Sequence, residues 1–175
     1  MEHQYKIWGE KINLRPLLEK DLEKIRLWRN QRDIRKWFID AKEITIEGQQ
    51  KWFHEYLKKK DELNFVIEEI QGINQPIGML SLYHIDLDKK EAELGRIFIG
   101  VQQALGKGYG MEATKMLCNF AFETYKLKTI RLEVFTDNSR AIASYHKVGF
   151  KIYKDTLLND RSMLHMSLAC SDFKK

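Results

Sequence analysis

The spacing of apolar residues divides the chain into stretches with two rhythms. KINLRPL, residues 11–17, reads as a first strand. In EKDLEKIRLWRN, residues 19–30, Leu22, Ile25, Leu27 and Trp28 fall near helical spacing and predict a helix. A second helix is expected after Thr45, with Thr45-Ile46-Glu47-Gly48 as its cap region and Trp52, Phe53, Tyr56 and Leu57 among its apolar positions. The rhythm then turns β-rich through LNFVIEEI (63–70), PIGMLSLYHIDL (76–87) and EAELGRIFIGV (91–101). The links between these runs, QGINQ and DKK, are short and predict an antiparallel meander.

A helical rhythm returns at 111–125, where Ala113, Met116, Leu117, Phe120 and Ala121 recur at i, i+3, i+4, i+7 and i+8 and make one buried face. TIRLEVFT (129–136) is a further strand, and SRAIASYHKVGF (139–150) a short helix stopped by Gly149. FKIYKDTLL (150–158) and MLHMSLAC (163–170) close the chain as two strands. The predicted order is β-α-α-β-β-β-α-β-α-β-β, a mixed α/β single domain spanning residues 1–175. Pro16 and Pro76 each sit at the edge of a strand-like run, where a missing N–H does least harm.

Composition narrows the class without choosing a ligand. Thirty Lys and Arg against 25 Asp and Glu leave a net charge of +5, which suits polyphosphate ligands or nucleic acid. No basic stripe at regular spacing accompanies that charge, so nucleic acid is not the expected partner. No apolar run approaches about 18 residues, so no membrane span is expected. The N-terminal stretch has no apolar core of signal-peptide length, and Cys118 and Cys170 read as idle thiols in a reducing compartment, so a cytoplasmic location is expected. The histidines and cysteines show no ligand spacing, so no metal is expected.

Residues 103–110, QALGKGYG, stand between a strand and a helix. Gly106 and Gly108 permit positive φ and let a ligand approach bare backbone. Unpaired N–H groups at the start of the next helix, with the helix dipole, favour a phosphate there, and Lys107 adds charge at the mouth. Two nucleotide-loop patterns are absent: Met111 replaces the third glycine of GxGxxG, and GxxxxGK[ST] does not occur. A flexible surface turn is the bland alternative.

Together with NSRAIASYHKVGF (138–150), the stretch beginning at Gln103 resembles the GNAT N-acetyltransferases. Gln103, Gly106 and Gly108 match that family's (Q/R)xxGxG/A loop, and Asn138, Ala141, Tyr145, Gly149 and Phe150 match NxxAxxxYxxxGF. The resemblance implies a mostly antiparallel sheet with helices on both faces, and a splay between the strand at 91–101 and that at 129–136. It implies acetyl-CoA as co-substrate, its pyrophosphate on the amides of Leu105, Gly106, Lys107, Gly108, Tyr109 and Gly110. The pantetheine arm would lie along Ile97, Phe98, Ile99, Gly100 and Val101, with Asn138 and Ala141 beside it and an oxyanion contact near Ile99. Tyr145 would be the acid that protonates the departing thiolate. A phenol of pKa ~10 keeps its proton at neutral pH.

The base is open among Glu133, Glu93, His84 and a water relay. Glu133, in RLEVFTDN, resembles the glutamate of the ribosomal-protein alanine acetyltransferases. For the acceptor, WRN followed by IRKWF resembles the enzymes that acetylate a 4-amino sugar carried on UDP in pseudaminic acid biosynthesis. Less tightly, the stretch resembles the ribosomal-protein N-terminal, spermidine and aminoglycoside acetyltransferases. Arg29, Arg32, Arg35 and Lys36 suit a second pyrophosphate or form a solvated face; Trp28, Trp37 and Phe38 offer flat surfaces to a uracil or sugar ring, or pack a helix end. Asn30, His84 and Glu93 complete the expected acceptor set. The partner expected is therefore a small-molecule amine, a UDP-amino sugar, and a homodimer is compatible with this reading.

Overall fold

The computed structural model describes residues 3–174. Eight strands form one sheet: β1 (Ile7–Trp8), β2 (Ile12–Pro16), β3 (Leu63–Glu69), β4 (Gln75–Asp86), β5 (Glu91–Ile99), β6 (Thr129–Phe135), β7 (Lys151–Leu158) and β8 (Arg161–Ala169). Their order is β1-β2-β3-β4-β5-β6-β8-β7. Neighbours pair antiparallel, except β5 and β6, which are parallel. The count is one more than the sequence predicts. The added strand, Ile7–Trp8, has two residues, too few for any alternation to register.

Five helices accompany the sheet: α1 (Leu22–Asn30), α2 (Arg32–Arg35), α3 (Ile46–Lys58), α4 (Tyr109–Thr124) and α5 (Ser139–Val148). The cap residues act as expected. Thr45 Oγ1 accepts from the Gly48 N–H at 3.0 Å, and Gly149, at φ 114°, ends α5. The one-turn helix α2 was not foreseen; its four residues carry no buried side chain and hence no apolar period.

Alternation on the strands sends side chains to two cores. Phe65, Ile67, Leu80, Leu82 and Leu94 pack with Ala113, Leu117 and Ala121 of α4 and Val148 of α5. Val66, Met79 and Phe98 face the other way, onto Ile25 and Trp28 of α1 and Phe53 and Tyr56 of α3. Helices therefore cover both faces.

One irregularity prepares the site. Between Met79–Phe98 and Ser81–Gly95, two β4 residues advance against three of β5, so β5 bulges at Arg96 and Ile97. Arg96 takes φ 50° there. Its guanidinium is held by the buried Glu62 carboxylate and lies 4.7 Å from the Tyr83 ring centre. Among the described residues no helix is long and apolar enough to cross a membrane, and no group of three or more His, Cys, Asp and Glu is placed to hold a metal.

Candidate active site

β5 and β6 pair only where Glu91–Glu93 meet Thr129–Arg131. Beyond that the parallel strands part, and a cleft of about 790 Å³ opens between them. Leu94 to Ile99 form one wall, Glu133 to Phe135 another, and the starts of α4 and α5 close the mouth.

The turn before α4 leaves backbone N–H groups unpaired among the described residues. Gly106 and Gly108 sit at φ 78° and 83°, and a Cβ added to either would meet no atom within 4 Å. Glycine is needed here for conformation, not for room, because the left-handed region is costly for other residues. Among the described residues no backbone carbonyl or side chain accepts from the amides of Gly106 to Met111; the first amide engaged is that of Glu112, on Gly108 O at 3.0 Å. Leu105 differs from expectation, since its amide already donates to Gln102 O at 3.2 Å. Gln103 and Lys107 stand exposed outside the cleft wall.

Tyr109 fixes this turn to the sheet. Its hydroxyl donates to Glu69 at 3.1 Å, and Glu69 also accepts from the backbone N–H groups of Gln71, Gly72, Ile73 and Asn74. Burial alone would raise the Glu69 pKa; the amides of Asn74, Ile73 and Gln71 and the Tyr109 hydroxyl hold it down to about 2.

Asn138 Oδ1 caps α5 by accepting from the Ala141 N–H at 3.3 Å. Tyr145 is 7% exposed, borders the cleft, and its phenol pKa is pushed up by burial. The phenol therefore stays protonated at neutral pH.

The acceptor residues named from the sequence are divided by the structure. Arg29, Trp37 and Phe38 border the cleft. Trp28 does not: it is buried beneath Gly100, where an added Cβ would stand 2.1 Å from Trp28 Cγ. Trp28 therefore packs the core, and Gly100 and Val101 lie behind the wall, not on it. Asn30 staples a loop, donating to Ile44 O at 2.9 Å and accepting from Ile44 N–H at 2.8 Å. Arg35 is turned to Glu43 at 3.8 Å, away from the cleft. His84 and Glu93, 2.5 Å apart, border a second hollow of about 310 Å³. Glu133 borders both spaces.

Arg29 has an unusual setting. Its guanidinium lies 3.2 Å from the Phe38 ring centre, and Nη2 donates to Asp40 O at 2.9 Å. Among the described residues Nη1 is buried without a hydrogen-bond partner, and burial lowers the pKa to about 10. Arg161 Nη1 donates to Lys36 O at 2.7 Å and its guanidinium lies 5.3 Å from the Trp37 ring centre, which ties the α2 region to the β7–β8 turn.

Sequence reading missed several cleft residues. Arg140, Ser144 and Lys147 recur at i, i+4 and i+7 and so share one face of α5; that spacing was the available signal. Tyr83 also borders the cleft, with its pKa raised to about 12 by burial and then by Glu93. Alternation could not flag it, because the register slips after Tyr83 and His84 takes φ 51°.

Residues 11–151 match the model of the acetyltransferase (GNAT) domain. Acetyltransferase PseH of Campylobacter jejuni is 29% identical over 165 residues, covering 93% of this chain and 94% of the relative. Spermidine N(1)-acetyltransferase of Escherichia coli is 29% identical over 142 residues, 81% of this chain and 73% of the relative. The crystal structure of spermidine N-acetyltransferase from Vibrio cholerae, in complex with CoA and spermine, superposes with a TM-score of 0.85 at 22% identity, covering 94% of this chain and 98% of that one.

Proposed function

This chain belongs to the GNAT family and is an N-acetyltransferase, and we propose that it carries acetyl from acetyl-CoA directly to the 4-amino group of a UDP-linked 4-amino-4,6-dideoxy-N-acetyl-hexosamine. The donor half of this reading is supported by the turn before α4. Amides from Gly106 to Met111, unengaged by the chain and set at the positive end of a 16-residue helix, suit a diphosphate. The pantetheine arm would lie along the edge of β5 that leaves β6, with Asn138 Nδ2 beside it. A backbone N–H near Ile99, just past the bulge at Arg96 and Ile97, would meet the developing oxyanion.

Proton flow is assigned to two residues. Glu133, at the wedge between the two spaces, takes a proton from the acceptor nitrogen as the C–N bond forms and the C–S bond breaks. Tyr145 gives its proton to the thiolate and regains one from solvent. Each transfer of this kind is worth ~10²–10⁴ in rate.

One observation carries the choice of acceptor: Arg29 Nη1, buried and without a hydrogen-bond partner. The guanidinium is half-buried and Nη2 is already paired, so Nη1 is the buried donor left over, and a phosphate oxygen reaching it would supply the missing short charge-assisted bond. Arg140 and Lys147 add positive charge to the same cleft. The likeness to PseH of Campylobacter jejuni supports the same acceptor. A polyamine would instead bring more positive charge to Arg29. It is the second reading because Asp33 and Asp40 also border the cleft, and because the Escherichia coli and Vibrio cholerae relatives are spermidine acetyltransferases.

The test is thiol release from acetyl-CoA with a panel of amines: the UDP-amino sugar, spermidine, an aminoglycoside and ribosomal N-terminal peptides. Turnover of the UDP-amino sugar above the others is expected. Turnover of spermidine or peptides alone overturns the acceptor and leaves the family standing.

A further inference from the structure

The hollow of about 310 Å³ beside Glu133 is lined by charges that come in pairs. Lys89 meets Asp86 at 3.1 Å, Arg131 meets Glu91 at 2.5 Å, and His84 meets Glu93 at 2.5 Å. Glu133 is left to His165, whose Nδ1 lies 3.2 Å from Glu133 Oε1. The β6–β8 register sets these two residues directly opposite each other. His165 Nε2 in turn lies 2.8 Å from Thr156 Oγ1 on β7. Further titratable neighbours are Tyr153, whose ring centre is 6.1 Å from that of His165, Lys154, set opposite His165 by the β7–β8 register, and Tyr83, close enough for the Glu133 charge to help raise its pKa.

Donor and acceptor chemistry favours one arrangement of protons. An ionised carboxylate only accepts, so the ring nitrogen facing it, Nδ1, is the better placed to carry a hydrogen. The bare Nε2 is then an acceptor, and the Thr156 hydroxyl is the donor that meets it.

We propose that Thr156 and His165 orient the basic carboxylate: the Thr156 hydroxyl fixes the imidazole at Nε2, and the imidazole holds Glu133 through the 3.2 Å contact between Nδ1 and Oε1. Glu133 Oε2 is left to face the acceptor amine. His165 is a positioning residue, since it touches no reacting atom. Protons balance without it: Glu133 takes one from the amine and returns it to solvent through the exposed third of its side chain, while His165 keeps its single ring proton. The inference rests on Glu133 being the base.

Loss of this contact in His165→Gln should cut kcat about tenfold, a part of the ~10²–10⁴ that proton transfer to such a base supplies, with the KM for acetyl-CoA unchanged. Thr156→Val, on the exposed edge strand, should give a smaller loss in the same direction, and Thr156→Ser should restore the parent kcat. The assay uses acetyl-CoA with the UDP-amino sugar and with spermidine, and Glu133→Gln is measured in parallel. A second readout needs no acceptor: ¹⁵N NMR of the histidine rings should show neutral His165 protonated at Nδ1, with the other tautomer appearing in Thr156→Val. If Glu133→Gln loses activity while His165→Gln keeps the parent kcat, the orienting chain is wrong and the base assignment survives. If Glu133→Gln is fully active, both fall. A His165 ring protonated at Nε2 in the parent also overturns the chain.

Discussion

The Tyr109 hydroxyl donates to the Glu69 carboxylate across 3.1 Å, joining the first residue of α4 to the end of β3. Four backbone N–H groups of the β3–β4 turn meet the same carboxylate, so one buried anion organises both the hairpin and the approach to the glycine turn.

Acid should release this bond. The Glu69 pKa falls from 4.5 to about 2 on folding, so its contribution to stability is complete above pH 4.5 and is lost as pH drops toward 2. Glu69→Gln should melt below the parent at pH 7, and the gap should close as pH falls from about 4.5 to about 2. Melting curves across pH 2–7 check this; a gap independent of pH removes the ionised carboxylate from the account.

Gly100 and Trp28 test the packing behind the cleft. Gly100→Ala forces a Cβ to within 2.1 Å of Trp28 Cγ unless the ring moves. Overpacking costs roughly 1–3 kcal/mol, or a drop of about 3–10 °C in melting temperature for a chain of this size. Adding Trp28→Leu to Gly100→Ala should recover part of that drop. An unshifted melting point for Gly100→Ala alone means that the ring is not confined there.

Arg29 should discriminate acceptors by charge. Arg29→Met keeps an unbranched side chain of similar length and removes the guanidinium over Phe38 together with the unpaired Nη1. For the UDP-amino sugar kcat/KM should fall about 10–100-fold, the worth of a charge-assisted hydrogen bond, while spermidine turnover should hold or rise. Equal losses for both acceptors would mean that Arg29 supports the fold.

Tyr145→Phe separates chemistry from binding. The ring is buried against Phe150, 5.9 Å between ring centres, so Phe preserves the packing. Turnover should fall ~10²–10⁴-fold with acetyl-CoA affinity unchanged. An undiminished rate takes the acid role from Tyr145.

Much of the fold was legible because its signals are local. The apolar stripe of α4, the Thr45 cap and the Gly149 stop need only neighbouring residues, and all three appear as expected. The splay of β5 from β6 was reached through motif resemblance, since nothing in either strand's own alternation says where pairing ends. The acceptor side was the least legible. Trp28 and Arg29 are adjacent in sequence, yet one lies under Gly100 and the other borders the cleft, a division set by the packing of α1 on β5. His165 carried no motif at all; its place opposite Glu133 comes from the β6–β8 register, a contact 32 positions apart in the chain.

Backbone amide NMR of the ¹⁵N-labelled protein during titration with coenzyme A addresses the donor site most directly. Saturable shifts and slowed hydrogen exchange are expected at Gly106, Lys107, Gly108, Tyr109, Gly110 and Met111, and both should weaken in Gly108→Ala, where φ 83° is costly for a side chain. Saturation of the protein with coenzyme A while these six amides stay unmoved would contradict the claim that they hold its diphosphate.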